Sequence, residues 1–133
     1  MRTSEGATDI SMLKILIVDD DPALADVLAA FLGTCGFQTD YATDGATAVQ
    51  RARDTQPDLI IMDLMLPRLS GGEAAAALKR DPSTSAIPIL AISGLDDPEP
   101  LVDILAIDAL LRKPFDLDEL ERRVAALLRS RST

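Results

Sequence analysis

LIIMD at residues 59–63 is an apolar run without polar alternation that stops at a carboxylate. A strand covered on one face alternates, whereas an unbroken run of Ile, Leu and Met belongs to a parallel strand covered on both. Three more segments follow this pattern: ILIVDDD at 15–21, ILAISG at 89–94 and LLRKPFD at 110–116. The first two stop at Asp and Ser, the third at Lys113-Pro114. As neighbouring parallel strands, they bring Asp19, Asp20, Asp63, Ser93 and Lys113 to one edge of one sheet. An acid cluster with one lysine and one hydroxyl suits a divalent cation and a phosphoryl group.

Helical signals separate these runs. Asp21-Pro22 opens a helix, because Asp caps orphan amides and Pro is tolerated at the first helical position. Leu24, Val27, Leu28, Phe31 and Leu32 recur at helical spacing, and Gly33 and Gly36 are expected to stop it. Residues 37–42 alternate as a strand, Asp44 caps a helix with Ala48, Val49 and Ala52 inward, and Gln56-Pro57 breaks it. A loop over 67–72 leads to a helix through Leu78 ending at Asp81-Pro82, then a strand over 87–92. Pro98 and Pro100 delay the next helix to Leu101–Ile107, and a strand at 109–112 and a helix from Asp116 or Leu117 to Arg129 follow. Strands alternating with helices predict an α/β, flavodoxin-like, doubly wound sheet of five parallel strands in order 2-1-3-4-5, with helices on both faces. Residues 13–130 form this one domain, and the polar stretch 1–12 reads as a disordered leader.

Composition narrows the function. Across 133 residues, 47% are hydrophobic but only 3% aromatic, as expected of aliphatic helices packed on a parallel sheet. A formal net charge of −9 and a pI near 4.3 argue against nucleic-acid or anionic-membrane partners, which require basic patches. Cys35 is the only cysteine, which excludes an internal disulfide and a cysteine metal cluster, and it is expected at a helix end. No run has the length of a membrane span and the first residues lack a signal peptide's apolar stretch, so a cytoplasmic protein is expected.

Ligands in such sheets bind beyond the carboxyl ends of the strands, where strand order reverses. Three carboxylates gathered there repel, and one takes up a proton unless a cation enters. Magnesium matches oxygen-only ligands and tolerates few carboxylates alongside a phosphate. Asp63 is then placed to attack as a carboxylate nucleophile and form an acyl phosphate.

At these residues the chain resembles the receiver domain of bacterial two-component response regulators, of the stand-alone, single-domain type. The family order is present: an acidic pair after the first strand, Asp63 with Pro67 four residues on, Ser93, and Lys-Pro-Phe at 113–115. The resemblance implies Asp63 as phosphoacceptor, Ser93 and Lys113 as its catalytic partners, and Mg²⁺ held by Asp19, Asp20, Asp63 and the backbone carbonyl of Met65. Asp19 would act mainly through water, Lys113 would pair with phosphoryl oxygens, and Ser93 would draw its loop inward. A cis peptide at Lys113-Pro114 is implied as well. Weighed singly, Asp63 is a turn residue, Lys113 a solvated lysine and Ser93 a loop cap; their combination favours the functional reading. Asp21 reads as an N-cap rather than a ligand, and Met62, Met65 and Leu66 as packing.

Two departures stand out. The family's inward-turning aromatic three residues before the lysine is Leu110 here, which shifts signalling onto Ser93 and residues 94–107. Met65 and Leu95 occupy positions that flank the attacking water in the family and cannot orient it, so a long-lived acyl phosphate is expected. The leading reading is a phosphorylation-dependent switch in a phosphorelay, fed by a histidine kinase or histidine phosphotransfer protein and acting on a downstream protein. It is not an enzyme beyond its own phosphorylation and autodephosphorylation, and it is monomeric or weakly dimeric. The alternatives are a phosphate shuttle or sink and a phosphorylation-independent docking module. A phosphohydrolase is disfavoured because Met65 stands where a second acid is needed.

Overall fold

The computed structural model describes residues 13–66, 71–94 and 107–131. The expected leader, most of the loop after Leu66, residues 101–106 of the expected short helix and Leu95 lie outside them. The strands are β1 (Lys14–Val18), β2 (Gln38–Ala42), β3 (Leu59–Asp63), β4 (Ile89–Ser93) and β5 (Ala109–Arg112). They form one five-stranded sheet in the order β2-β1-β3-β4-β5, every pairing parallel. The described helices are α1 (Pro22–Thr34), α2 (Gly45–Thr55), α3 (Gly71–Arg80) and α4 (Leu117–Arg131).

The unbroken apolar runs are explained by what lies on either side. Successive strand residues point to opposite faces. Leu16, Val18, Ile60, Met62, Ile89 and Ala91 pack beneath Ala48, Val49 and Ala52 of α2 and Ala74, Ala75 and Leu78 of α3. Ile15, Ile17, Leu59, Ile61, Leu90 and Ile92 pack beneath Ala25, Leu28 and Leu32 of α1 and Leu120, Val124 and Leu128 of α4. The alanines let the helices approach a sheet that has almost no aromatic filler.

The helix ends follow local chemistry. Asp21 caps α1 by accepting from Ala23 N–H at 3.0 Å, and Asp44 caps α2 by accepting from Thr47 N–H at 2.8 Å. Gln56 closes α2 in the left-handed region at φ 50°. Gly33 does not stop α1: the helix continues to Thr34 and is capped by Cys35, while Gly36, at φ 98°, supplies the reversal. Val27, one of the apolar residues at helical spacing, is 51% exposed. The buried line of α1 runs through Ala25, Leu28 and Leu32, and Val27 lies to one side of it.

Asp108 ties the start of β5 to its surroundings. Its Oδ2 accepts from Ile89 N–H at 2.7 Å and from Lys79 Nζ at 3.1 Å, and the same Nζ donates to the Ile87 carbonyl at 2.9 Å. Replacing Asp108 with Ala should cost about 1–3 kcal/mol in urea unfolding, because the amide of buried Ile89 and an ammonium lose a shared acceptor. A change near zero would place this cluster among ordinary surface ion pairs.

Candidate functional site

The carboxyl ends of β1, β3, β4 and β5 meet at one edge. Asp19 follows β1 directly and is 1% exposed; its N–H donates to the Ala42 carbonyl at 3.1 Å, fixing it against β2. Its Oδ1 accepts from Asp21 N–H at 2.9 Å, so the residue that caps α1 also orients the buried carboxylate. Asp20 is exposed. Asp63 closes β3 at 6% exposure, and its Oδ1 accepts from Met65 N–H at 2.9 Å. Oxygens of Asp19, Asp20 and Asp63 lie within 4.8 Å of one another. Lys113 directs Nζ to 3.6 Å from Asp63 Oδ2, while its N–H donates to the Ser93 carbonyl at 2.8 Å. The Lys113-Pro114 bond is cis. Ser93 is buried at the end of β4, beside Asp63 through the β3–β4 pairing.

Burial dominates the electrostatics of this edge. Asp63 has its pKa raised first by desolvation; the Met65 amide and the Lys113 ammonium oppose this without cancelling it. Asp19 is raised by burial too, opposed by the Asp21 amide, with the charge of Asp63 a smaller contribution. Repulsion among the carboxylates is therefore secondary to desolvation, contrary to the expectation from charge alone. Asp19 Oδ2 is buried with no hydrogen-bond partner. A carboxylate oxygen withdrawn from water beside two more acids is a donor set suited to a hard divalent cation.

The structure brings together Asp19, Asp20, Asp63 and Lys113, with Ser93 on the adjoining strand. It also changes the reading of Met65, whose side chain is 58% exposed rather than packed with Met62; its amide is what serves the site. Three features had no signal in the sequence. Arg112 donates from Nη1 to the Gly94 carbonyl at 2.9 Å, and Arg123 of α4 from Nη1 to the Leu110 carbonyl at 3.1 Å. The Tyr41 hydroxyl is buried without a partner, its pKa raised by burial and then by the charge of Asp19. All three depend on which segments the fold places side by side.

A doubly wound parallel sheet carrying three carboxylates and a lysine at its carboxyl edge defines the class: a flavodoxin-like α/β domain with an acidic site at the strand ends. The response regulator receiver domain family matches residues 15–125, and the chain belongs to that family. It is a receiver domain of two-component signalling. It is 40% identical over 120 residues to the DNA-binding dual master transcriptional regulator RpaA of Synechocystis, covering 89% of this chain and 50% of that protein. The chain thus spans about half the length of the curated relatives it matches. Among solved structures, the signal receiver domain of a signal transduction histidine kinase from Syntrophus aciditrophicus superposes with a TM-score of 0.81 at 34% identity, covering 88% of this chain and 90% of that one. The receiver domain of a sensor histidine kinase from Pseudomonas aeruginosa, described with a magnesium ion coordinated in the active site cleft, gives 0.80 at 29% identity, over 87% and 97% of the two chains. No described helix is long and apolar enough to cross a membrane.

Proposed function

We propose that residues 13–130 form a phosphorylation-dependent switch in a two-component phosphorelay, accepting a phosphoryl group on Asp63 from a phosphohistidine of a histidine kinase or histidine phosphotransfer protein. The observation that carries this reading is the Asp63 carboxylate itself. It is buried, held by the Met65 amide and faced by the Lys113 ammonium at 3.6 Å, beside two further acids. The carboxylates of Asp19, Asp20 and Asp63 and the Met65 carbonyl would hold Mg²⁺, which when bound supplies positive charge against the phosphoryl oxygens.

The chain's own residues account for the remaining chemistry. A lone pair of the Asp63 carboxylate forms the new O–P bond as the P–N bond of phosphohistidine breaks, leaving the electron pair on the imidazole nitrogen, which takes up a proton. Lys113 pairs with the transferred oxygens, and the Ser93 hydroxyl donates to one of them, drawing β4's end inward. Met65, apolar and exposed, offers no group to orient a hydrolytic water, which supports a long-lived acyl phosphate. The domain turns over no other substrate. The formal charge of −9 favours protein partners over direct contact with phosphate backbones. The proposed setting is the cytoplasm, with the domain a monomer or weak dimer.

Leu110 in the place of the family's aromatic favours one second reading, a phosphate shuttle or sink. Backbone amide spectra with magnesium, before and after beryllofluoride, separate the two. Shifts at Asp63 and Lys113 that reach Leu110 and vanish in Asp63→Asn support the switch; shifts confined to the pocket support the shuttle. No response at all would overturn phosphoryl acceptance and leave a docking module.

A further inference from the structure

Building on this phosphoacceptor reading, we propose that Arg112 is a positioning residue that latches the end of β4 in the resting form and must let go when Ser93 is drawn toward the phosphoryl group. Hydrogen bonds from β5 hold the last peptides of β4. The Ser93 carbonyl accepts from Lys113 N–H at 2.8 Å, and the Gly94 carbonyl accepts from Arg112 Nη1 at 2.9 Å. Ser93 and Arg112 are register partners in the β4–β5 ladder, so the guanidinium reaches past its own pair to the next peptide along.

These two bonds differ in what breaking them entails. The Lys113 amide is part of the β5 backbone, and losing its bond unzips the sheet next to the lysine that the site needs. The Arg112 bond is made by a side chain that is only half-buried, and a guanidinium that gives up one acceptor can pair with water instead. An inward shift of Ser93 must carry the Gly94 peptide with it, because the two residues share a bond. A movable restraint on that shift is therefore the Arg112 bond.

Arg112 is also in the right place to substitute for a ring. Leu111 packs among the residues beneath α1 and α4, whereas Leu110 packs on the opposite face, and strand alternation puts Arg112 on Leu110's side. The Leu110 carbonyl is in turn held by Arg123 from α4. The strand without an aromatic at its switch position thus has an arginine two residues on that grips the carbonyl next to the serine.

The test uses the full chain with magnesium and beryllofluoride, following the Asp63 and Lys113 amides for occupancy and the Gly94 carbonyl carbon for the latch. In the wild type the Gly94 carbonyl should shift in step with Asp63. Because the resting form loses a restraint that the active form lacks, Arg112→Ala should bind beryllofluoride about fivefold or more tightly, with Arg112→Lys between the two. Saturation at Asp63 with an unmoved Gly94 carbonyl, or an Ala variant that binds no more tightly than the wild type, overturns the latch alone. Silence at the Asp63 and Lys113 amides overturns the phosphoacceptor reading, and the latch with it. The wild-type carbonyl and the lysine variant decide the matter even if the alanine variant folds poorly.

Discussion

Asp63→Asn should take up no phosphoryl group from acetyl phosphate and, in magnesium-free buffer at neutral pH, should unfold at a higher temperature than the wild type. Both outcomes have one origin. The carboxylate proposed as nucleophile is charged in a buried place, and burial raises its pKa despite the Met65 amide and Lys113. A carboxyl group whose folded pKa is raised costs stability once it ionises: the cost is absent below the unfolded value, grows as pH rises through the interval, and is complete above the folded value. The asparagine escapes that cost while keeping an oxygen for the Met65 amide. The stability gap between variant and wild type should therefore close as the pH is lowered toward the ordinary aspartate range. Magnesium should narrow or reverse the gap, since a ligand bound by the native state stabilises in proportion to its occupancy. Intact mass after acetyl phosphate treatment and thermal unfolding with chelator read the two halves. An asparagine variant less stable than wild type in chelator would mean that the carboxylate contributes to the fold.

Lys113→Ala should slow phosphorylation of Asp63 by about a hundredfold or more, the usual effect of removing one charged group aimed at a developing transition-state charge. The fold should tolerate it: the side chain is 37% exposed, and the N–H that bonds the Ser93 carbonyl belongs to the backbone. Initial rates of phosphate incorporation at fixed donor concentration measure the loss. Slowing of less than about threefold would remove the ammonium from the chemistry.

What could be read in the sequence was whatever a short stretch of chain determines by itself. The apolar runs at 59–63 and 89–93 are buried residue by residue in the structure, because two layers of helices make alternation unnecessary. Asp21 and Asp44 announced their helices through capping chemistry that spans only a few residues. The acidic edge was legible for the same reason, each member standing at the end of an identifiable strand. Helical spacing grouped Val27 with Leu28 and Leu32 but does not say which of two adjacent lines faces the sheet, and Val27 is exposed. Met65 was assigned to packing on its chemistry, whereas the fold uses its amide. The attachment of Arg112 to Gly94, of Lys79 to Asp108 and of Arg123 to Leu110 joins residues far apart in the chain, and no local pattern encodes it.

The strands that carry the site are not equally secured. β3 and β4 are buried at every position and flanked on both sides by other strands, whereas β5 has four residues, is mostly half-buried and lies at the sheet's edge. Local opening begins where buried contacts are fewest. Fluctuations of the native protein will thus loosen Lys113 and the arginine beside it long before they disturb Asp63 or Ser93. The proposed nucleophile thus ends a strand buried at every position, while its counter-charge follows a short edge strand. Resting protein would then spend brief intervals with an intact acid pocket and a displaced lysine, so opening of one short edge strand bears on how often the site is complete.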